Sequence, residues 1–468
     1  MSSWKAIITP QYIPALALVC LAVWLHAADS TLVATLIPVI TQDVGGVHLI
    51  SWTVMLYEIG SIVAGAASGL LAIRQGLKKP MAAAALIFAA GCFVSALAPT
   101  MWVVLLGRVL QSFGGGGLVA LAFVAMNTLF PKQLVPQALA FVSMMWGSSA
   151  FLGPLIGGLF VEYANWRQAF GFFAVAALVL AGWILRKVAD KPPADMGEQE
   201  RFPLFRLLFL TLGILCIAYA GVDISPVKTP VLVLAGILLL AYFLHADSSS
   251  EQNRLLPINP ISLSNPIGAG LTMILCFAIA SIALTVYGPY LMIKIYAIPV
   301  LVAGYIVACS SIGWSIAAIA ISGLDESHDR RMVMLGMCTI GVSIIGFVFS
   351  VPNGPVWLIA VFAFIEGAGF GMAWTFILRL ATTIAGDDER ERIAASIPTV
   401  HRAGYAIGAA YIGIVANTSG LDAVGDVQST KAAASWIFLA CLPFALLGLF
   451  AAYRFVVPKP AALRDTVA

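Results

Sequence analysis

Long apolar stretches alternate with short polar turns along the whole chain. A helix needs roughly 20 apolar residues to cross about 30 Å of hydrocarbon. With charge clusters and Pro/Gly turns as boundaries, about 14 segments reach that length: 13–37, 49–72, 81–98, 101–128, 136–162, 167–187, 204–222, 229–246, 266–292, 299–322, 332–350, 355–379, 393–417 and 433–456. The runs are continuously apolar and too long for barrel strands, which alternate. The pattern predicts an all-α polytopic membrane protein.

Positive charge gives the predicted orientation. One set of turns holds about 19 Lys and Arg residues, among them Arg74, Lys78, Lys79, Lys132, Arg330 and Arg331. The other set holds four: Arg167, Lys228, Lys294 and Lys431. The richer set is expected in the cytoplasm, with both termini on that side. Two polar stretches, 188–203 and 245–260, read as linkers around two poorly polar spans. The expected layout is an N-terminal six-helix bundle (1–190), a linker with two inserted transmembrane helices (191–262) and a C-terminal six-helix bundle (263–468). A degenerate internal repeat fits it: GRVLQSFGGGGLVALAF (107–123) echoes FAFIEGAGFGMAWTFIL (362–378), and the loop 69–81 echoes 323–334.

Composition removes the other classes. The chain has 468 residues, 61% hydrophobic and 10% charged, against roughly 25% charged in a soluble domain. Too few polar residues exist to cover globular surfaces, and disorder needs the opposite composition. The net charge of +3 argues for no nucleic-acid partner. Seven cysteines, each alone in an apolar segment, suggest neither disulfides nor a thiolate metal site. The five histidines form no metal-binding motif. The first apolar run, with His26 and Asp29 inside it, is too long for a signal-peptide core and reads as a retained span.

Four motifs resemble the major facilitator superfamily, and within it the 14-span drug:proton antiporters: ADSTLVATLIP (28–38), GLLAIRQGLKKP (69–80), GRVLQSFGGGG (107–117) and GPLIGG (153–158), followed by WRQAF (166–170). The resemblance implies the major facilitator fold, two six-helix bundles plus the inserted pair, working by alternating access. It also implies proton-driven transport with no other cofactor. The loop motif departs from the family, with Ile73 where the pattern has Asp and Leu77 where it has a second Arg. The family's charge relay is therefore in doubt here, and Arg74 is open between a gating contact and a solvated positive loop. In GPLIGG, Pro154 removes a backbone hydrogen bond, while Gly153, Gly157 and Gly158 permit close helix approach. The run of four glycines at 114–117 lacks the Gly-Lys-Ser/Thr of a phosphate loop and predicts close helix contact.

Charges inside the spans are costly and point to function. Asp29, Glu58, Arg108, Glu366 and Arg402 all fall roughly 11–16 Å from a span end at about 1.5 Å per residue. His26 and Asp29 are three apart and share a helix face. A histidine beside a carboxylate can pass protons, so Asp29, Glu58 and His26 are candidate proton-coupling groups. Arg108 joins them as the counterpart of the family's motif arginine. The alternative for each is a static ion pair, such as Asp29 with Arg108. Glu366, the second-half counterpart of Gln111, is a candidate for substrate binding. The pair His401 and Arg402 either binds an anionic group or neutralises Glu366. Tyr57, Trp146 and Trp374 fall on spans that line the family's cavity, where aromatics and methionines form adaptable pockets. Trp4, Trp102, Trp166 and Trp357 read as interface anchors.

The resulting expectation is a proton-coupled secondary transporter exporting amphipathic organic compounds, monomeric, in a bacterial inner membrane. Its partners would be a small-molecule substrate, protons and the lipid bilayer. An alternative is transport of an anionic metabolite or siderophore-like compound, with Arg108, His401 and Arg402 as the anion site. An intramembrane enzyme is disfavoured, because no soluble domain or metal cluster supports one.

Overall fold

The structure is a computed structural model that describes residues 6–189, 202–250, 254–386, 389–421 and 426–457. Those residues fold into α1 (Ile13–Val44), α2 (Ile50–Gln75), α3 (Lys78–Ala96), α4 (Met101–Leu129), α5 (Val135–Tyr163), α6 (Trp166–Lys187), α7 (Leu204–Tyr219), α8 (Lys228–Ser248), α9 (Pro266–Tyr296), α10 (Val300–Ala320), α11 (Asp329–Asn353), α12 (Val356–Ile384), α13 (Arg390–Thr418), α14 (Val427–Leu439) and α15 (Leu442–Val456). Each of the 14 expected segments is helical. The last is broken at Ala440–Cys441, so α14 and α15 together make one apolar run, Val427–Val456.

By length and apolarity, 12 helical stretches can cross a membrane. Two expected spans fall outside that set for opposite reasons. α7 is 16 residues long, one turn short of the hydrocarbon thickness. α13 is 29 residues long but carries Arg390, Glu391, Arg392 and Arg402. The linker predicted around 188–203 lies mostly outside the described residues.

Several sequence features now have local causes. α1 runs seven residues past its expected end because Asp43 is engaged there: it accepts from Trp166 Nε1 at 3.0 Å and pairs with Arg167. Trp166 is therefore buried rather than an interface anchor, whereas Trp102 and Trp357 are exposed as expected. Trp4 lies outside the described residues. Asn165 and Asn265 cap α6 and α9 by accepting from the backbone two residues on. Gly46, with φ of 81°, turns the chain into α2, and a Cβ there would lie 2.6 Å from Met101 Cβ.

The packing repeats itself. In the first group α3 packs on α4 and α6, α2 on α4, and α1 on α5. In the second group α11 packs on α12 and on α14–α15, α10 on α12, and α9 on α13. This is the same map with every helix moved to its repeat partner. The groups meet along two seams, α2 with α13 and α5 with α10, which the same correspondence exchanges. α1 and α9 touch across the middle, and α9 is buried on nearly every side. The α7–α8 pair packs on α13 through α7.

The glycine motifs sit at crossings. Four successive residues, about 100° apart, look in all directions around a helix. A Cβ at Gly114 would press on α3 at Phe88, at Gly115 on His26 of α1, and at Gly116 on Ser61 of α2. Gly117 looks toward Ser68 and Ala84 at 3.0 and 3.2 Å. α4 is thus enclosed by three helices at one level. In α5 a Cβ at Gly153 would collide with Thr31 of α1, and one at Gly157 would lie 3.2 Å from Leu32. Gly158 faces Leu301, and Pro154 faces Gly304, both on α10. GPLIGG therefore wedges α5 between α1 and α10.

Candidate functional site

Four of the five intramembrane charges, Asp29, Glu58, Arg108 and Arg402, gather in one chain of contacts between α1, α2, α4 and α13. Asp29 and Arg108 form an ion pair at 2.5 Å, with side chains 0% and 2% exposed. Arg108 also donates to Gln111 Oε1 at 2.6 Å and to the Thr53 carbonyl at 3.3 Å. Gln111 in turn donates to Ser95 Oγ at 3.2 Å. The R-x-x-Q spacing makes this possible, since residues three apart share a helix face. The guanidinium carbon stands 4.1 Å over the Tyr57 ring, a cation–π contact in a desolvated place.

Tyr57 passes the chain on. Its Oη lies 2.9 Å from both His26 Nδ1 and the His26 carbonyl, and the two rings stack at 5.0 Å. Arg402, from the second group, reaches Glu58 Oε2 at 3.1 Å and His26 Nε2 at 3.2 Å. Donor bookkeeping settles the tautomer. Arginine only donates, so His26 Nε2 must accept, and the proton of the neutral ring sits on Nδ1. That N–H donates to Tyr57 Oη, and Tyr57 O–H donates to the His26 carbonyl.

Of the two readings of Arg402, the described contacts do not match neutralisation of Glu366: Arg402 reaches Glu58 and His26 across the α2–α13 seam, and among the described residues Glu366 has no ion pair.

The second group holds a separate cluster. The His401 ring lies 5.1 Å from Trp374, 6.0 Å from Phe370 and 4.3 Å from Tyr405. Trp314 stacks on Phe370 at 5.6 Å. Among the described residues, the buried atoms His401 Nε2 and Glu366 Oε1 have no hydrogen-bond partner. The aromatic neighbours Phe370 and Trp314 escaped the sequence reading. Their only signal is the spacing Glu366, Phe370, Trp374 on one face of α12.

On the face carrying the turns at 45–49 and 97–100, the seams are closed: Asn417 donates to the His48 carbonyl at 2.9 Å, Gly413 packs on Ser51, and Gly158 on Leu301. Toward the face carrying the basic turns, a Cβ at Gly65 or Gly69 would meet nothing within 4 Å. Trp146 is 41% exposed although its ring sits edge-on to His26 at 6.0 Å. The chain of contacts thus lies on the basic-face side of the closed seams. Arg74 ends α2 near that face and belongs to neither cluster.

The second-half loop supplies charges that the first-half loop lacks. Arg379 of α12 grips Asp329 at the start of α11, with its Nε at 2.9 Å, and donates to the Asp325 carbonyl at 3.0 Å. Asp325 accepts from Ser327 Oγ at 2.6 Å and pairs with His328 at 2.7 Å. These contacts, Ser327 foremost, hold the Asp325 carboxyl below its ordinary range.

Comparison with known proteins agrees with this architecture. The family model described as Major Facilitator Superfamily matches residues 19–246 and 269–467. "Probable multidrug-efflux transporter MT1670" of Mycobacterium tuberculosis (strain CDC 1551 / Oshkosh) is 28% identical over 465 residues, 97% of this chain and 96% of that protein. "Multidrug efflux pump SdrM" of Staphylococcus aureus (strain N315) is 23% identical over 363 residues, 76% of this chain and 78% of that one. Among solved structures, a peptide transporter POT in complex with sulfate superposes with a TM-score of 0.69 at 17% identity, covering 97% of this chain and 99% of that one. A bacterial homolog of the human lysosomal transporter Spinster, inward-facing and unoccupied, gives a TM-score of 0.66 at 13% identity, covering 97% and 100%.

Proposed function

The chain belongs to the major facilitator superfamily, and from that premise we propose that it is a proton-coupled exporter of amphipathic organic compounds working by alternating access. It is a multi-pass membrane transporter of small molecules, not an enzyme. The basic face is the cytoplasmic one, both termini lie there, and the state described is inward-facing. The bacterial inner membrane is the proposed location, and a monomer of 1–190, 191–262 and 263–468 the proposed organisation.

The observation that carries this reading is the buried chain Asp29–Arg108–Tyr57–His26–Arg402–Glu58. Two acids and a histidine, gathered inside the spans beside a seam between the two groups of helices, are groups able to bind and release protons in alternating access. The adjoining aromatic cluster, with Glu366 beside it and no arginine paired to it, favours an apolar substrate body with a polar or cationic head. The anionic alternative loses ground, because Arg108 and Arg402 are both engaged by acids.

The test is exchange in proteoliposomes. An amphipathic dye added on the basic face should release protons in wild type, and Asp29→Asn should abolish that release while dye still binds. An Asp29→Asn protein that exchanges at the wild-type rate would remove Asp29 from the mechanism.

A further inference from the structure

Arg402 has a property that neither a substrate ligand nor a static ion pair requires. It is the guanidinium that crosses from the second group of helices into the first, and it holds two acceptors at once, Glu58 Oε2 at 3.1 Å and His26 Nε2 at 3.2 Å. His26 Nε2 accepts only while unprotonated, and Glu58 draws the guanidinium by its charge only while ionised. A proton on Nε2 would turn an acceptor into a donor facing another donor, with two positive charges in contact. A proton on Glu58 would cancel the charge that draws Arg402 across the seam.

The surroundings contain little that could take over. On α1 and α2 the ionisable neighbours are His26, Tyr57 and Glu58, with Asp29 and Arg108 beyond Tyr57 already paired. On α13 itself they are His401 and Tyr405. α12 brings Glu366 within reach of Tyr405, and α9 brings Tyr287 and Tyr290. Glu58 is the one anion in direct contact with Arg402 among the described residues.

We propose that Arg402 is the coupling residue of the exchange reaction, locking the empty, unprotonated protein with its far face closed. The inference rests on the reading of the chain as a proton-coupled transporter. The bond runs between the two groups of helices, so it must break before the far face can open. A proton on His26 or Glu58 breaks it. So does a substrate that competes for Glu58 or displaces the guanidinium. An empty site does neither. That is the rule an antiporter needs: the loaded carrier turns, whether the load is a proton or a substrate, and the empty carrier waits. The proton itself binds at Nε2 or the carboxylate on one side of the membrane and leaves to water on the other.

The consequence is measurable without substrate. Proteoliposomes with an imposed pH gradient, with valinomycin and potassium for charge compensation and a trapped pH dye, should hold the gradient when they contain wild type. With Arg402→Gln the empty carrier can return, and the gradient should decay roughly tenfold faster, within the usual span of coupling free energies. Arg402→Lys, which keeps the charge but loses the fork, should fall between them.

A second readout guards against a misfolded variant. Spin labels at Leu97→Cys and Gln428→Cys, both on the far face, should separate in wild type as the pH falls from 8 to 5.5. Glu58→Gln, with Arg402 intact, should show the wide distance already at pH 8. His26→Gln, which leaves the Glu58 charge and its pairing with Arg402 in place, should stay closed at pH 8. A wild-type gradient decay in Arg402→Gln overturns the proposal, as does an unchanged distance response in Glu58→Gln. Wild type that shows the pH response yet exchanges no amphipathic dye would instead sink the substrate assignment and leave the lock standing.

Discussion

The Asp29–Arg108 pair permits a quantitative prediction. Arg108→Met would leave two acceptors without their donor, Asp29 Oδ2 and Gln111 Oε1, while the Thr53 carbonyl keeps its bond within α2. At about 2 kcal/mol for the buried carboxylate and about 1 kcal/mol for the amide oxygen, the loss is about 3 kcal/mol, the low end of the cost of breaking a buried pair. Asp29→Leu would leave the Arg108 charge uncompensated, at a similar cost of about 3 kcal/mol. The double variant leaves only Gln111 Oε1 unpaired, about 1 kcal/mol. The two singles would sum to about 6 kcal/mol, so the cycle should show a coupling of about 5 kcal/mol. Reversible unfolding by SDS in mixed micelles, followed through the 11 tryptophans, would measure all four proteins. A coupling below about 1 kcal/mol would refute the pair as a buried, mutually dependent unit.

Other substitutions test other parts. Gly115→Ala places a Cβ 2.7 Å from His26 Nδ1 and 3.2 Å from Tyr57 Oη, so it should break that hydrogen bond and slow proton-coupled dye exchange more than it lowers stability; an Ala variant with wild-type exchange contradicts this. Glu366→Gln should change unfolding stability by less than about 1 kcal/mol, since no ion pair is lost, yet weaken dye binding in a fluorescence titration. Trp166→Phe removes the indole donor to Asp43 and should cost about 1 kcal/mol, measured by the same SDS titration. Asp325 has a depressed carboxyl in the folded state, so its contribution is present above its ordinary value of 3.8 and lost as pH falls through the lower folded value. Asp325→Asn should therefore melt lower than wild type at pH 7, with the difference shrinking toward pH 3.

Much of the scaffold was legible because lipid leaves little choice. A chain of continuous apolar runs must be helical, and the turns between them are where charge can sit. α14–α15 shows the limit: the break at Ala440–Cys441 has no Pro or Gly at the step itself, and Pro443 only begins the following helix. The buried charges were also legible as residues, since Asp29, Arg108, Glu58 and Arg402 stand out in apolar surroundings. Their partners were not. Linear spacing ties His26 to Asp29, but the ring turns instead to Tyr57 and Arg402, 31 and 376 residues away. Only the crossing of α1, α2 and α13 decides that. Trp166 failed for a related reason, because a tryptophan at a helix start reads as an interface residue until Asp43 is found beneath it.

The inserted pair offers a handle for observing motion. α7 leans on α13, where Gly221 packs on Ile414 and its carbonyl accepts from Asn417 at 2.8 Å. At the opposite end Arg254 stands 3.7 Å from Glu389, next to the start of α13. α8 packs appreciably on α7 alone. The pair is thus a mast stepped mainly on the second group of helices, beside the α2–α13 seam and away from the α5–α10 seam. A rigid tag set into the turn between α7 and α8 would rotate with that group, giving single-particle imaging a fiducial whose angle reads out the state of the carrier.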